Sequence, residues 1–161
     1  MELVRENKQK HRKVYFCGDR YRKIWSKVDS SWIEEHVRLL NTVVPGYVLA
    51  FGNNWIEFRV IPGKPASTMP HSPEFAQRIY KFCKDSIQKT FPYVHGDWSL
   101  SNIIVNGDDL TLCDWDNLGI YPAEEVEQKL VKDLTDAFGK AMMLHVLPSE
   151  DPSVAHLCLD Q

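Results

Sequence analysis

The sequence has no long apolar run and no paired cysteines. No stretch approaches the roughly eighteen apolar residues that span a bilayer, and no apolar signal core follows the basic start, Met1 to Lys13. The four cysteines, Cys17, Cys83, Cys113 and Cys158, are far apart and form no CxxC pair, so buried thiols are expected and a zinc site is not. These absences predict a cytoplasmic protein with no membrane partner.

The composition is typical of a globular protein, with 161 residues of which 43% are hydrophobic and 25% charged. This length allows one domain or two small lobes. The net charge is only −3, but residues 1–27 hold nine of the nineteen lysines and arginines. This basic segment could cover a polyphosphate or form a solvated face. Because it is short and has few interleaved aromatics, no nucleic-acid partner is expected.

A hairpin is predicted from Val14 to Trp25, with Gly18-Asp19 at its turn. On its second strand, period-two alternation places Tyr21, Lys23 and Trp25 on one face. Lys23, shielded by the aromatics, could reach a phosphate. The alternative is a lysine on an exposed face.

A helix is predicted from Ser31 to about Asn41, because Ser31-Trp32-Ile33-Glu34 is a capping-box pattern. Glu34 is then occupied at the helix start. Glu35 could hold Lys23 through an ion pair, or it could simply favour the helix dipole.

Pro62-Gly63-Lys64-Pro65 is the clearest linker, because two prolines and a glycine end a strand and disfavour a helix. We therefore predict a lobe at residues 1–61, a hinge at 62–66 and a second lobe at 67–161. A nucleotide base would bind the backbone just before the hinge, at Arg59, Val60 and Ile61.

Two helices are predicted in the second lobe. One begins after Ser72, a good N-cap that precedes a proline, and runs to about Lys89. The other is a long helix from about Ala123 to His145, for which the apolar residues recur at helical spacing. The tail at 148–161 is predicted to be irregular or a short helix.

The stretch from His95 to Asn102, together with Asp114, carries the clearest chemistry. The turn Asn106-Gly107 predicts a hairpin that brings Asn102 beside Asp114. Asp114 and Asn102 supply the oxygen ligands that Mg²⁺ prefers, Asp97 could accept the proton of a hydroxyl, and His95 would hold the loop. The alternative is that Asp97, Asn102 and Asp114 are turn or capping residues.

These motifs resemble the kinase-like fold, in particular the aminoglycoside phosphotransferase and choline kinase group. His95-Gly96-Asp97 with Asn102 resembles the catalytic loop of that group, Asp114-Trp115-Asp116 its metal-binding segment, and Asp133-Leu134 a dipeptide inside one of its helices. The resemblance implies an α+β, two-lobed fold with a small antiparallel β lobe and a reduced, mostly helical second lobe. It also implies ATP or GTP and Mg²⁺ as cofactors, with Lys23 on phosphate and Glu35 as its partner.

Three functions are compatible with these residues. The leading hypothesis is transfer of the γ-phosphoryl group of ATP to a small alcohol of the choline, ethanolamine, sugar or aminoglycoside type. A cationic acceptor would suit Trp98, Trp115 and Asp116, although both tryptophans could equally be core residues. The alternatives are a small atypical protein kinase, and a nucleotide-binding module without catalysis, which the missing glycine-rich loop before Lys23 suggests.

Overall fold

A computed structural model describes residues 1–9 and 11–149 of the chain. The chain divides into two compact units between Ile61 and Pro62, here called the N-terminal unit (Met1–Ile61) and the C-terminal unit (from Pro62 onward). Most of the tail at 148–161, including Cys158, lies outside the described residues. Within the described ranges, no helix is long and apolar enough to cross a membrane.

The N-terminal unit is an antiparallel sheet with one helix, as the sequence predicts. The helix, α1 (Ser30–Val43), connects the third strand to the fourth. The strand order is β1-β2-β3-β5-β4, and the strands are β1 (Glu2–Asn7), β2 (Arg12–Phe16), β3 (Arg20–Trp25), β4 (Val48–Gly52) and β5 (Trp55–Arg59).

The register of the sheet places Lys23 at its centre. Lys23 lies opposite Val14 on β2 and Ile56 on β5. Since side chains alternate between the two faces of a strand, Lys23 shares its face with Trp25, and the Trp25 ring contacts Trp32 of α1, with ring centroids 5.7 Å apart. The face that bears Lys23 is therefore the one covered by the helix.

The start of α1 differs from the prediction. Its N-cap is Asp29, whose carboxylate accepts a hydrogen bond from the backbone N–H of Ser31 at 2.9 Å. The capping box expected from Ser31 to Glu34 is therefore wrong. A carboxylate at this position also interacts favourably with the positive end of the helix dipole, which a neutral hydroxyl does not.

The opposite face of the sheet holds a buried carboxylate. Glu57 is 5% exposed and accepts hydrogen bonds from Arg22, at 2.6 and 3.0 Å, and from Arg20, at 3.2 Å. The guanidinium of Arg22 also lies 4.6 Å from the centroid of the Trp55 ring. Because a buried charge is costly unless paired, these contacts explain how an acidic residue is tolerated in a central strand.

The C-terminal unit packs helices around two short ribbons. Its core includes Ile79 and Cys83 of the first helix and Leu130 and Leu134 of the second, all fully buried. The strands pair as β10-β7 and β6-β8-β9. The elements are β6 (Lys64–Pro65), α2 (Pro73–Thr90), β7 (Tyr93–Val94), β8 (Ile103–Asn106), β9 (Asp109–Leu112), β10 (Gly119–Ile120), α3 (Ala123–Phe138) and α4 (Lys140–Val146).

The long helix predicted from Ala123 to His145 is two helices. α3 ends at Phe138, and Gly139 adopts φ of +88° and ψ of 150°, which is incompatible with a helix. The residues from Lys140 to Val146 form the separate helix α4. Glycine adopts positive φ without steric cost, so the helix can end at Gly139. The apolar residues keep their helical spacing on both sides of Gly139, and this spacing alone does not indicate the break.

Substituting Gly63 should destabilise the C-terminal unit. Gly63 has φ of +129°, and a Cβ there would lie 2.4 Å from the carbonyl oxygen of Val105 on β8. Gly18 also has positive φ, +86°, but nothing lies within 4 Å of its Cβ position. We expect Gly18→Ala to lower the free energy of unfolding by about 1 kcal/mol and Gly63→Ala by about 1–3 kcal/mol more. Urea denaturation of both variants measures the difference, and equal losses would contradict the predicted clash.

The stability of the protein should fall in mild acid because of His36. Burial, and then the charge of Lys23, lowers the pKa of His36 from 6.5 to about 4. Unfolding therefore takes up a proton between these two pH values, so the free energy of unfolding decreases as the pH falls from 6.5 to 4, by up to about 3 kcal/mol. Denaturation at several pH values measures how the free energy of unfolding changes with pH. In His36→Leu, unfolding should take up at most one proton fewer, so this change should be smaller. An unchanged slope in the variant would refute the prediction.

Candidate active site

The loop between β7 and β8 is held in place by buried residues. His95 and Trp98 are each 1% exposed. Gly96 has φ of +75°, and a Cβ there would lie 2.6 Å from the carbonyl oxygen of Asn117 and 2.9 Å from the hydroxyl of Tyr121. Only glycine fits this backbone, so the residue before Asp97 is fixed by close packing.

His95 joins the loop to the segment that carries Asp114. Its Nε2 donates a hydrogen bond to the carbonyl oxygen of Cys113 at 2.8 Å, and its ring packs edge-on against Trp115, with centroids 4.5 Å apart. Burial lowers the pKa of His95, so the imidazole is neutral near neutral pH. This arrangement suits the holding role predicted for His95.

The hairpin of β8 and β9 brings Asn102 and the segment of Asp114 together. The register pairs Ile103 with Leu112, and beyond this pair the N–H of Cys113 donates to the carbonyl oxygen of Asn102 at 2.8 Å. Asn102 and Asp114 therefore lie at the same end of the ribbon, as the turn at Asn106-Gly107 predicts. The side chain of Asn102 is buried.

Asp114 has a strained backbone. Its φ of 60° and ψ of 57° are left-handed, and the chain then enters a 3-10 turn at Trp115–Asn117. Such a conformation costs about 1–2 kcal/mol for a residue with a Cβ, although aspartate tolerates it better than most. Strain of this kind is concentrated at functional sites.

Asp97 is half-buried and lies in a turn stabilised on both sides. Its Oδ1 accepts a hydrogen bond from the N–H of Ser99 at 3.2 Å. The N–H of Trp98 donates to Oδ2 of Asp133 on α3 at 3.0 Å, and Lys129 donates to both oxygens of Asp133. Asp133 thus fixes the loop from the helix, a role that its sequence pattern alone does not reveal.

The two tryptophans of the site belong to the core. Trp98 is 1% exposed and Trp115 is 5% exposed. Both residues are buried, as expected of core residues, and binding of a cationic acceptor beside them stays a prediction. The hydrogen bond from the indole N–H of Trp115 to the carbonyl oxygen of Leu112, at 3.2 Å, satisfies its one polar group inside the unit.

A cavity of about 450 Å³ borders the loop in the C-terminal unit. Gly96 and Trp98, which flank Asp97, line one side, and α3 lines another through residues that include Val126 and Asp133. This volume is sufficient for a small molecule.

Among the described residues, no group of three or more His, Cys, Asp or Glu side chains forms a metal-binding cluster. Asn102 and Asp114 together provide one amide and one carboxylate. A pair of this kind falls outside that definition of a cluster. Mg²⁺ requires few protein ligands, because it keeps several waters and shares phosphate oxygens. The two residues therefore fit a magnesium site shared with a phosphate.

In the N-terminal unit, the structure does not place Glu35 beside Lys23. Glu35 is 56% exposed, and its carboxylate accepts hydrogen bonds from Arg38 at 2.6 and 2.7 Å. Lys23 is 6% exposed, with its Nζ 5.1 Å from the centroid of the Phe58 ring. The buried stripe of α1 carries His36 instead.

The residues predicted for the nucleotide base lie at the last residue of β5 and just after it. Arg59 is exposed and pairs with Arg20 in the sheet register. Val60 and Ile61 are half-buried and irregular. Their role stays a prediction.

No family model matches the sequence, and no curated protein matches it. Solved structures do match its fold. Two crystal structures of WbdD give TM-scores of 0.59 and 0.55 at 16% and 15% identity, and the alignments cover 82% and 91% of this chain. Spectinomycin phosphotransferase APH(9)-Ia, in complex with ADP and spectinomycin, gives a TM-score of 0.48 at 9% identity, with 90% of this chain and 77% of that chain covered.

The chain spans only 36% and 43% of the two WbdD chains that it matches. At such identities the likeness concerns the fold alone. The α+β class and the kinase-like fold expected from the sequence are thereby confirmed, and this protein has a kinase-like fold.

Proposed function

We propose that this protein is a phosphotransferase that moves the γ-phosphoryl group of ATP, or of GTP, to a hydroxyl group of a small molecule. The observation that supports this proposal is the arrangement in the C-terminal unit. Asp97, Asn102 and Asp114 lie on one loop and one hairpin end that are joined through Cys113. In a kinase-like fold, a carboxylate, an amide and a second carboxylate so arranged are the groups that phosphoryl transfer requires.

Asp97 acts as the base in this proposal. Its carboxylate accepts the proton of the acceptor hydroxyl as the oxygen attacks the γ-phosphorus, or orients that hydroxyl for attack. The hydrogen bond from Ser99 holds the carboxylate, and the bond from Trp98 to Asp133 holds the backbone next to it. Such positioning supplies much of the rate in phosphoryl transfer, since the protein performs little covalent chemistry.

Asn102 and Asp114 would hold Mg²⁺ together with the phosphates of the nucleotide. When bound, the ion neutralises the charge that accumulates on the phosphate oxygens. The amide adds an oxygen ligand without adding negative charge. Lys23 of the N-terminal unit is the proposed ligand of a phosphate.

A small acceptor is supported by the cavity beside the loop. Val94, Trp98 and Val126 supply apolar walls. The polar and charged groups of the lining are Tyr121, Glu125, Gln128, Lys129, Lys132 and Asp133. A pocket with apolar walls and a few polar groups is the usual form of a small-molecule site. Choline, ethanolamine, simple sugars and aminoglycosides are therefore the acceptors to assay.

Asp97→Asn should abolish most of the transfer without abolishing nucleotide binding. We expect turnover to fall by at least about 100-fold, because the amide cannot accept the proton, while stabilisation of the protein by Mg-ATP is retained. Release of ADP in the presence of each acceptor measures turnover, and a thermal shift measures binding. Asp108→Asn, an exposed change in the turn of the β8–β9 hairpin, is the matched control and should behave as wild type.

Three results would contradict this assignment. Full turnover by Asp97→Asn would remove the base role. Stabilisation of wild type by Mg-ATP with no product from any alcohol would indicate a binding module, and transfer to a protein but to no small alcohol would indicate a protein kinase.

Asp114→Asn should raise the magnesium requirement. Loss of the one carboxylate ligand is expected to shift the Mg²⁺ concentration for half-maximal turnover upward by at least about tenfold. A titration with Mg²⁺ at saturating ATP measures this shift, and Asp109→Asn, an exposed change on β9, is the control. An unchanged titration curve for Asp114→Asn would exclude it as a ligand.

A further inference from the structure

The N-terminal unit contains a cavity of about 480 Å³ at the end of its sheet where β1 turns into β2. Ile24 of β3 and Ser26, which follows β3, line one side of it, and the residues around the β1–β2 turn line the rest. Lys23 is not among the described residues that line the cavity. The cavity is therefore a different place from the one proposed for the nucleotide phosphates.

The register of the strands shows where this cavity lies relative to the sheet. Lys13 pairs with Ile24, and Arg12 pairs with Trp25. Because neighbouring residues of a strand point to opposite faces, Arg12 is on the face of Lys23, whereas Lys13 and Ile24 are on the other face. Residues of both faces line the cavity, which places it at the end of the hairpin.

The lining of the cavity has an excess of positive charge. Lys8, Arg12 and Lys13 are cationic, and Glu6 is the one carboxylate among the described lining residues. Its Oε1 lies 3.6 Å from the Nζ of Lys13, and both side chains are well exposed, at 42% and 50%. An exposed pair of this kind is weak, so a stronger anion can take the place of Glu6 beside Lys13. An excess of one charge in a concave site attracts ligands of the opposite charge.

Arg12 is the buried cation of this lining. It is 4% exposed, and Trp25, its partner in the register, is buried as well. Electrostatic attraction is stronger where water is excluded. The planar guanidinium group can also donate to two oxygen atoms of one phosphate. Arg12 therefore suits the recognition of a phosphate group better than an exposed lysine does.

The backbone of the turn is held in place by hydrogen bonds. The N–H of His11 donates to the carbonyl oxygen of Lys8 at 3.3 Å. The backbone N–H and the hydroxyl of Ser26 donate to the carbonyl oxygen of His11, at 2.8 and 3.2 Å. The lining is thus arranged before a ligand arrives, which lowers the entropy cost of binding.

The side chains of the lining favour a phosphate group over a nucleobase. Ile24 is the apolar residue among the described lining residues, and none of them is a tryptophan, tyrosine or phenylalanine. Sites for single-stranded nucleic acids combine positive charge with aromatic side chains on which the bases stack. Several cations around one cavity instead suit a compact ligand with several negative charges, such as a chain of phosphates.

We propose that this cavity is a binding site for a polyphosphate group, separate from the proposed phosphotransferase site. Lys8, Arg12 and Lys13 neutralise the charge of the phosphates, and the guanidinium group of Arg12 donates to their oxygen atoms. Inorganic polyphosphate and the phosphate chain of a nucleotide share this chemistry. The proposal does not depend on the proposed function, because Asp97, Asn102 and Asp114 take no part in it.

The first experiment measures binding of inorganic tripolyphosphate to the full chain by isothermal titration calorimetry. Lys8→Gln combined with Lys13→Gln should weaken binding by at least about tenfold, because two charged donors are lost. Lys81→Gln combined with Lys89→Gln, two exposed changes on α2, removes the same charge elsewhere and should bind as wild type. Wild-type affinity in the Lys8 and Lys13 double variant would refute the proposal.

A change of opposite sign separates ligand binding from damage to the fold. Glu6→Gln removes the carboxylate that competes for Lys13 and should strengthen tripolyphosphate binding, by up to about fivefold. Added salt should weaken binding in the wild type, because it screens the charges. Weaker binding in Glu6→Gln would contradict the charge excess on which the proposal depends.

A further variant, Lys23→Met, distinguishes the cavity from the proposed nucleotide site. It should retain tripolyphosphate binding, whereas loss of that binding would assign the phosphates to Lys23 and overturn the proposal. In the same variant, competition by ATP but not by adenosine would identify the phosphate chain of a nucleotide as the ligand, and no competition by ATP would identify an inorganic polyphosphate. If the wild-type protein transfers no phosphoryl group, the proposed function fails, but these titrations still decide whether the cavity binds polyphosphate.

Discussion

The backbone of Cys113 is the point on which the candidate site depends. Its carbonyl oxygen accepts a hydrogen bond from His95, and the N–H of Cys113 donates to the carbonyl oxygen of Asn102, both at 2.8 Å. One residue of backbone thus connects the loop of Asp97, the hairpin end at Asn102 and the neighbouring Asp114. Because hydrogen bonds of buried groups are costly to break, these two bonds hold the loop of Asp97 and the hairpin end together.

Two buried histidines perform structural tasks in the two units, and both are neutral because burial lowers the pKa of each. His95 uses Nε2 as a donor to a carbonyl group. The Nε2 of His36 is buried and has no hydrogen-bond partner among the described residues. Acidification therefore acts on both units through protonation of groups that the fold keeps neutral.

Sequence patterns predict the elements that depend on local chemistry. The helix after Ser72, the turns at Gly18 and Gly107 and the hairpin that aligns Asn102 with Asp114 all follow from propensities within a few residues. The sequence predictions are wrong where a neighbouring residue offers a competing local structure. Asp29 caps α1 in place of Ser31, and Gly139 divides a helix whose apolar stripe continues on both sides. In both places, the same sequence pattern is compatible with two local structures. The pattern does not show which of the two has the lower free energy.

By itself, the sequence determined the loop from His95 to Asn102 and its meeting with Asp114, because turns and alternation of side chains act over short distances. The kinase-like α+β fold was implied by the resemblance of these motifs to a known family. Only the tertiary structure decided which side chains are buried. It placed Trp98 and Trp115 in the core, turned Glu35 towards Arg38, brought Asp133 to the backbone of Trp98 and put His36 on the face of Lys23. Such choices depend on contacts between elements distant in sequence, and a helix of given periodicity does not specify which residue of its partner it will face.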